Sequence, residues 1–315
     1  MEGSGAEMLK KGPLNVFACY AAWGILPLFW RCLGELPPLC VLGYRILFSL
    51  AFAAACLTVM GRWDAAAAAL RDRRERRCLT LAGLVIAVNW GSFIWAVNSA
   101  HVLDSSLAYY MYPILSILTG AIFFHERLTA PQWVAVGLMA AGIAAVSVRC
   151  GQVPWLALLI GGSFVLYGVV KRSVTCGAEV SLFAESLVTA PLALACVAWF
   201  EHAGAGAAGR LQGAQWLLLP AAGIVTALPL LFFARGIRET PHVLSGLLMF
   251  VNPTLQLLIG VFLLDEPFTA AHAILFAFIW GGLALFSAES YTAAIKRRRR
   301  GNDTDAGSGP ARCDQ

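Results

Sequence analysis

PILSILTGAIFFHERLT at residues 113–129 returns 140 residues later, without a gap, as PTLQLLIGVFLLDEPFT at residues 253–269. Pro113 recurs as Pro253, Gly120 as Gly260, Glu126 as Glu266 and Thr129 as Thr269. In so apolar a background a matched Leu or Ala carries little weight, but Pro, Gly and Glu in register carry a great deal. Outward from this stretch the offset holds for Gly83 and Gly223, Phe93 and Phe233, and Gly142 and Gly282. The chain reads as two copies of one unit, the first over residues 12–149 and the second over 150–291.

Hydrophobic residues make up 59% of the 315, charged residues only 13%, and the mean hydropathy is +0.72. A soluble domain of this size has nowhere to hide so many apolar side chains. The apolar runs, about 18–23 residues long, suit helices that rise 1.5 Å per residue across an apolar layer of roughly 30 Å. Barrel strands would be shorter and alternating. The expected fold is all-α and integral to the membrane. Ten transmembrane helices are expected near 13–31, 39–60, 79–99, 103–124, 131–149, 153–172, 179–200, 215–234, 242–264 and 270–290. The first run follows Lys10 and Lys11 but has no small-residue cleavage site, so it is read as a retained span bent at Pro27.

Basic residues fall on one side of this layout. Lys10, Lys11, the arginines from Arg62 to Arg77, Arg127, Lys171, Arg172, Arg235, Arg238 and the run Lys296–Arg300 occupy the N-terminus and alternate joints. Little beyond Arg149 and Arg210 faces the other way. The positive-inside rule then puts both termini in the cytoplasm: residues 1–11 as an N-terminal segment, and 292–315 as a basic and then disordered tail. Topology accounts for the net charge of +5, and no nucleic-acid partner is expected. The alanine run 65–69 with its following arginines suggests a short amphipathic helix on the cytoplasmic face. Five spans per unit is an odd number, so the two units are inverted relative to each other. Secondary transporters often have this architecture, because equivalent halves can rock about a central site.

Charged and polar residues inside spans mark the candidate site. Arg45 lies well inside the second span, and Glu185 lies in the seventh, its repeat equivalent. Each costs roughly 2.5–3.5 kcal/mol to place in a bilayer. They are expected to pair or to share a wet cavity, with a structural ion pair or snorkelling as the plainer reading. Asn89, Trp90, Trp95, Asn98, Tyr109, Tyr110 and Tyr112 gather in the third and fourth spans, and with Tyr20 and Trp23 they outline a pocket for a partly apolar solute. Trp90 and Trp95 also fit an interfacial belt or ordinary packing.

Pro113 and Pro253 are expected to bend spans four and nine, with Gly120 and Gly260 two turns along permitting close helix contact. Glu126 and Glu266 close those spans. They read as structural caps for spans five and ten, with gating as the alternative. The nine cysteines show no paired spacing. Neither a metal site nor a cofactor is expected, and no catalytic constellation accompanies His101 and Asp104, so the chain is not read as an enzyme.

Several motifs resemble one family: Tyr20-x-x-Trp23-Gly24-x-x-Pro27, Arg45-x-x-x-Ser49, the string Asn89-Trp90-x-x-Phe93-Ile94-Trp95-Ala96-Val97-Asn98, Ser106-Leu107-x-Tyr109 followed by Pro113, and Glu126 with Gln132-Trp133. The second half adds Ser163-Phe164-x-x-Tyr167-Gly168, Lys171-Arg172, Glu185, Pro253-Thr254, Glu266 and Phe276-x-Phe278-Ile279-Trp280. In this the chain resembles the RarD proteins, of the EamA branch of the drug/metabolite transporter superfamily, from residue 11 to about 295. The resemblance implies a ten-helix inner-membrane transporter of small metabolites or drugs built of two EamA repeats, a family often linked to chloramphenicol sensitivity. The sequence departs from the family pattern at Cys40 and Tyr44, where relatives tend to have Glu and His, and at Tyr112, where they tend to have Asn.

The functional expectation is a secondary transporter, exporting a small organic solute by alternating access. Arg45 is its anion or partner site, Glu185 its proton carrier or counter-charge, and Trp23, Asn89, Trp95, Asn98 and Tyr109 orient the solute. The expected partners are that solute, the lipid bilayer, a coupling ion such as a proton, and a second copy of the chain. A non-transporting sensor or accessory subunit is the alternative; the segment 61–78 and the tail would be its sizeable soluble surfaces.

Overall fold

The computed structural model describes residues 2–125, 127–151, 153–236, 240, 248–285 and 288, and among them all regular structure is helical. The helices are α1 (Glu2–Arg31), α2 (Pro38–Met60), α3 (Trp63–Arg71), α4 (Arg73–Asn98), α5 (Val102–Phe124), α6 (Ala130–Cys150), α7 (Trp155–Lys171), α8 (Ala178–His202) and α9 (Ala207–Arg210). A 3-10 turn at Gly213–Leu217 leads into α10 (Leu218–Gly236), followed by α11 (Val251–Phe262) and α12 (Ala270–Leu285). Six are long and apolar enough to cross a membrane: Gly12–Arg31, Pro38–Met60, Arg73–Asn98, Val102–Phe123, Ala130–Arg149 and Ala178–Arg210. Shorter apolar helices at Trp155–Lys171, Gly213–Pro229, Val251–Phe262 and Ala270–Leu285 occupy the places of the remaining expected spans. Val59, Val148, Leu192 and Phe262 point outward, where a water-soluble protein would present polar groups.

Local chemistry sets the helix ends. Pro38 stands in the first turn of α2, where a missing N–H leaves no bond unmade, and Gly61 ends that helix in the left-handed conformation at φ 63°. Thr129 and Gln132 form a capping box at the start of α6. The repeat extends to unusual backbone. His125 ends α5 at φ 54°, and Asp265, its counterpart 140 residues on, has φ 53°. The alanine run forms α3, which buries Ala66 and Ala69 and packs on α4 and α8.

The main contacts between the halves come in exchange-related pairs. Helix α4 packs on α8 as α10 packs on α2, α4 on α7 as α10 on α1, and α5 on α7 as α11 on α1. The pairs α2 with α8 and α5 with α11 exchange with themselves. Two repeat-related glycines make one such pairing close. A Cβ on Gly83 would stand 2.8 Å from the Glu185 carbonyl oxygen, and one on Gly223 would stand 2.5 Å from that of Phe48.

Pro113 lies inside α5 as expected. Pro253 is in the first turn of α11, where no intrahelical bond is lost, just after a turn at residues 249–250. Residues 242–247 of the expected ninth span, and the expected disordered tail, lie outside the described residues, as does Glu126.

Candidate substrate site in the helix bundle

Arg45 sits about two turns into α2 and is only 4% exposed. Its guanidinium lies 4.0 Å from the ring centre of Trp90 on α4 and 5.0 Å from that of Trp30 on α1. Among the described residues it has neither an ion pair nor a hydrogen bond. The buried Arg45 Nε, Ser49 Oγ and Trp30 Nε1 are all without partners. Tyr109 is within electrostatic reach of Arg45 and touches Phe93 and Phe164, with ring centres 6.2 and 6.0 Å away. Phe164 continues the wall to Tyr112 at 5.1 Å and Tyr167 at 6.3 Å. This half-buried aromatic wall runs from Arg45 to Glu185.

The expected pairing of Arg45 with Glu185 does not form. Glu185 is buried, and its Oε1 is 2.8 Å from Lys171 Nζ and accepts from Ser181 Oγ at 2.6 Å. Tyr167 donates to Oε2 at 3.1 Å, and Lys171 also bonds Ser181. Lys171, at the end of α7, was read chiefly as a topology signal and as part of a family motif; its stem is long enough to reach back into the bundle. An acid already neutralised by a nearer lysine has little left for an arginine.

The other candidates divide. Trp90 and Tyr109 belong to the Arg45 surroundings. Tyr20 and Trp23 pack edge to face on α1, with ring centres 6.0 Å apart. Asn89 is not free to hold a solute: its Nδ2 donates to the Ile160 carbonyl at 2.7 Å and to Ser163 Oγ at 3.1 Å, tying α4 to α7. Trp95 is 38% exposed, lies against His101 and Trp155, and lines a cavity with Asp104, Glu266 and His272. Asn98 ends α4, and both polar atoms of its side chain are buried without a partner. Tyr44, at a departure from the family pattern, donates to Glu201, which also accepts from the Ala207 and Ala208 N–H groups.

Glu266 does not cap the helix that follows it. Its carboxylate accepts from the N–H groups of Val102 and Leu103, at 2.7 and 2.9 Å. It therefore caps α5, in the other half of the chain, where the positive end of the helix dipole favours an anion. A Cβ on Gly260 would meet Leu103 at 3.2 Å, so the glycine admits this approach; Gly120 is buried in α5. Nearby, Ser105 donates to Gln256, Ser106 to the Pro253 carbonyl, and Tyr110 bonds Thr254. At the opposite end Glu75, in the first turn of α4, accepts from the Thr175 and Cys176 N–H groups at 2.8 and 2.9 Å. Burial and the adjoining Glu75 push the Cys176 thiol up to about 11.

Apolar helices of membrane-spanning length around charged and aromatic groups define a multi-pass membrane protein. The model of the EamA-like transporter family matches residues 10–148. The Bacillus subtilis (strain 168) protein named "Uncharacterized transporter YojE" is 38% identical over 281 residues, covering 88% of this chain and 94% of that protein. "Protein RarD" of Streptomyces exfoliatus is 34% identical over 92% of each. "Protein RarD" of Escherichia coli (strain K12) is 31% identical over 89% of this chain and 95% of its own length. The chain belongs to the EamA-like transporter family. A solved structure titled "Crystal structure of protein" shares the fold with a TM-score of 0.57 at 21% identity, covering 90% of this chain and 99% of that one.

Proposed function

We propose that this protein is a secondary transporter of the bacterial inner membrane. It moves a small organic metabolite or drug outward by alternating access between two inverted halves of five spans each. The mirrored packing of the halves carries this reading, because exchange-related contacts allow an opening at one end to be replaced by an equivalent opening at the other. On the α2 and α8 side the halves are bonded at both ends, by Glu75 to the joint before α8 and by Arg210 to the Glu35 carbonyl. On the α5 and α11 side the described polar bonds come from α5 residues 105–110, next to the Glu266 clamp. The halves pivot on the first side. On this reading the Glu266 clamp is the contact that parts when that end opens.

The loop charges support an outer position for that end and cytoplasmic termini. Arg45, Trp90 and Tyr109, with Tyr20 and Trp23, receive the solute; Glu185 is the counter-charge or proton carrier. Transport of labelled solutes into inverted vesicles, with and without a pH gradient, tests the reading. Accumulation that requires the protein supports it. No accumulation of any solute, with a partner protein co-purifying at fixed ratio, means that the chain is an accessory subunit instead.

A further inference from the structure

The 140-residue offset places Arg45 and Glu185 at the same position of the two halves. Glu185 is satisfied by Lys171, Ser181 and Tyr167. The residues 140 earlier are Arg31, Val41 and Pro27, none of which offers a side-chain acceptor to a guanidinium. One half therefore neutralises its buried charge internally, while the other leaves a buried cation without a counter-ion among the described residues. Around that cation the unpartnered groups are hydrogen-bond donors: Arg45 Nε–H, the Trp30 indole N–H and the Ser49 hydroxyl, one turn along α2 from Arg45. Trp30 and Ser49 are completely buried. Buried donors without acceptors are rare, and a buried charge is ordinarily paired.

We infer that the solute is a planar organic anion whose carboxylate is bound in the fork of Arg45, with Ser49 and Trp30 as additional donors and an apolar ring against Tyr109 and Phe164. This rests on the transporter reading and narrows its substrate class. The Trp90 and Trp30 ring centres lie 4.0 and 5.0 Å from the guanidinium carbon, and a guanidinium fork matches a carboxylate in two parallel bonds. A small hydrated inorganic anion would gain the charge but forgo the ring contacts, whereas an aromatic carboxylate uses both.

The test is binding to the purified full-length protein in lipid nanodiscs, read by tryptophan fluorescence and by calorimetry, with benzoate, benzamide, benzylamine, acetate and chloride as probes. Benzoate is expected to bind at least about tenfold more tightly than each of the others, since a hydrogen bond to a charged group contributes about 1.5–3 kcal/mol. Arg45→Gln is expected to abolish benzoate binding, and Arg45→Lys to weaken it about tenfold or more. Ser49→Ala, a small change that leaves the charge in place, is expected to weaken it several-fold, so the inference stays testable if the Arg45 variants fail to fold. Equal binding of benzoate and benzamide, displacement of benzoate by chloride at equal concentration, indifference to Ser49→Ala, or no binding of benzoate would each overturn it. Vesicle uptake of a neutral or cationic solute without benzoate binding would refute the anion inference and leave the transporter reading standing; benzoate bound but never moved would do the reverse.

Discussion

Replacing Lys171 with methionine keeps most of the stem and removes the charge, so Glu185 stays buried with Ser181 and Tyr167 as its remaining donors. Breaking a buried ion pair from one side costs about 3–5 kcal/mol. Two factors bring the figure down: those donors persist, and the Lys171 side chain is 28% exposed against 5% for Glu185. Lys171→Met is therefore expected to lose about 2–3 kcal/mol. Glu185→Leu orphans a lysine that can turn towards water and should lose only about 1 kcal/mol. The double variant, with no charge left to bury, should lie within about 1 kcal/mol of the parent, giving a coupling of at least about 2 kcal/mol. Reversible unfolding in mixed micelles, followed by tryptophan fluorescence, measures all four corners of the cycle. A double variant as unstable as the two losses added together would refute the pairing. Arg45→Met is the contrast: it orphans no partner, and in the same assay it should change stability by no more than about 1 kcal/mol or raise it.

Glu266→Ala removes the acceptor for two helix N–H groups, and amide exchange at Val102 and Leu103 should accelerate about tenfold or more, read by hydrogen exchange with mass spectrometry. Gly83→Val forces a side chain onto the Glu185 backbone and should lower the yield of folded protein, whereas Gly137→Ala, with nothing within 4 Å, should be tolerated; size-exclusion profiles distinguish them. Asn89→Ala should lose about 1–2 kcal/mol of stability without changing the affinity for benzoate, since its amide ties two helices; fluorescence titration checks this.

The helical membrane scaffold was legible because Pro, Gly and Glu matched at one offset are improbable in so apolar a background. The 140-residue register continues into the backbone, where His125 and Asp265 share a positive φ that the sequence did not announce. Side-chain partners were less legible. Arg45 and Glu185 were singled out as groups a bilayer does not tolerate, and both are buried, but spacing cannot reveal that the flexible Lys171 would reach Glu185 first. The Asn89 amide N–H groups tie α4 to α7, and Trp95 lines surface cavities apart from Arg45, neither of which spacing could reveal. Trp30 carried no distinguishing signal, and Ser49 entered only through the Arg45-x-x-x-Ser49 motif: each is an ordinary membrane-helix residue until its buried donor is found without a partner. Glu266 was read locally, as the cap of the next helix, because a sequence does not indicate that a helix from the other half begins beside it.

Labelling single cysteines from each side of the membrane with an impermeant maleimide, in a chain whose native cysteines have been replaced, tests alternating access without knowledge of the solute. Tyr112→Cys, on the aromatic wall, should be labelled from the cytoplasmic side while the Glu266 clamp is intact, and from the outer side once Glu266→Ala is added. Labelling from the same side in both backgrounds, or from neither, would contradict two halves that open in turn around a shared interior.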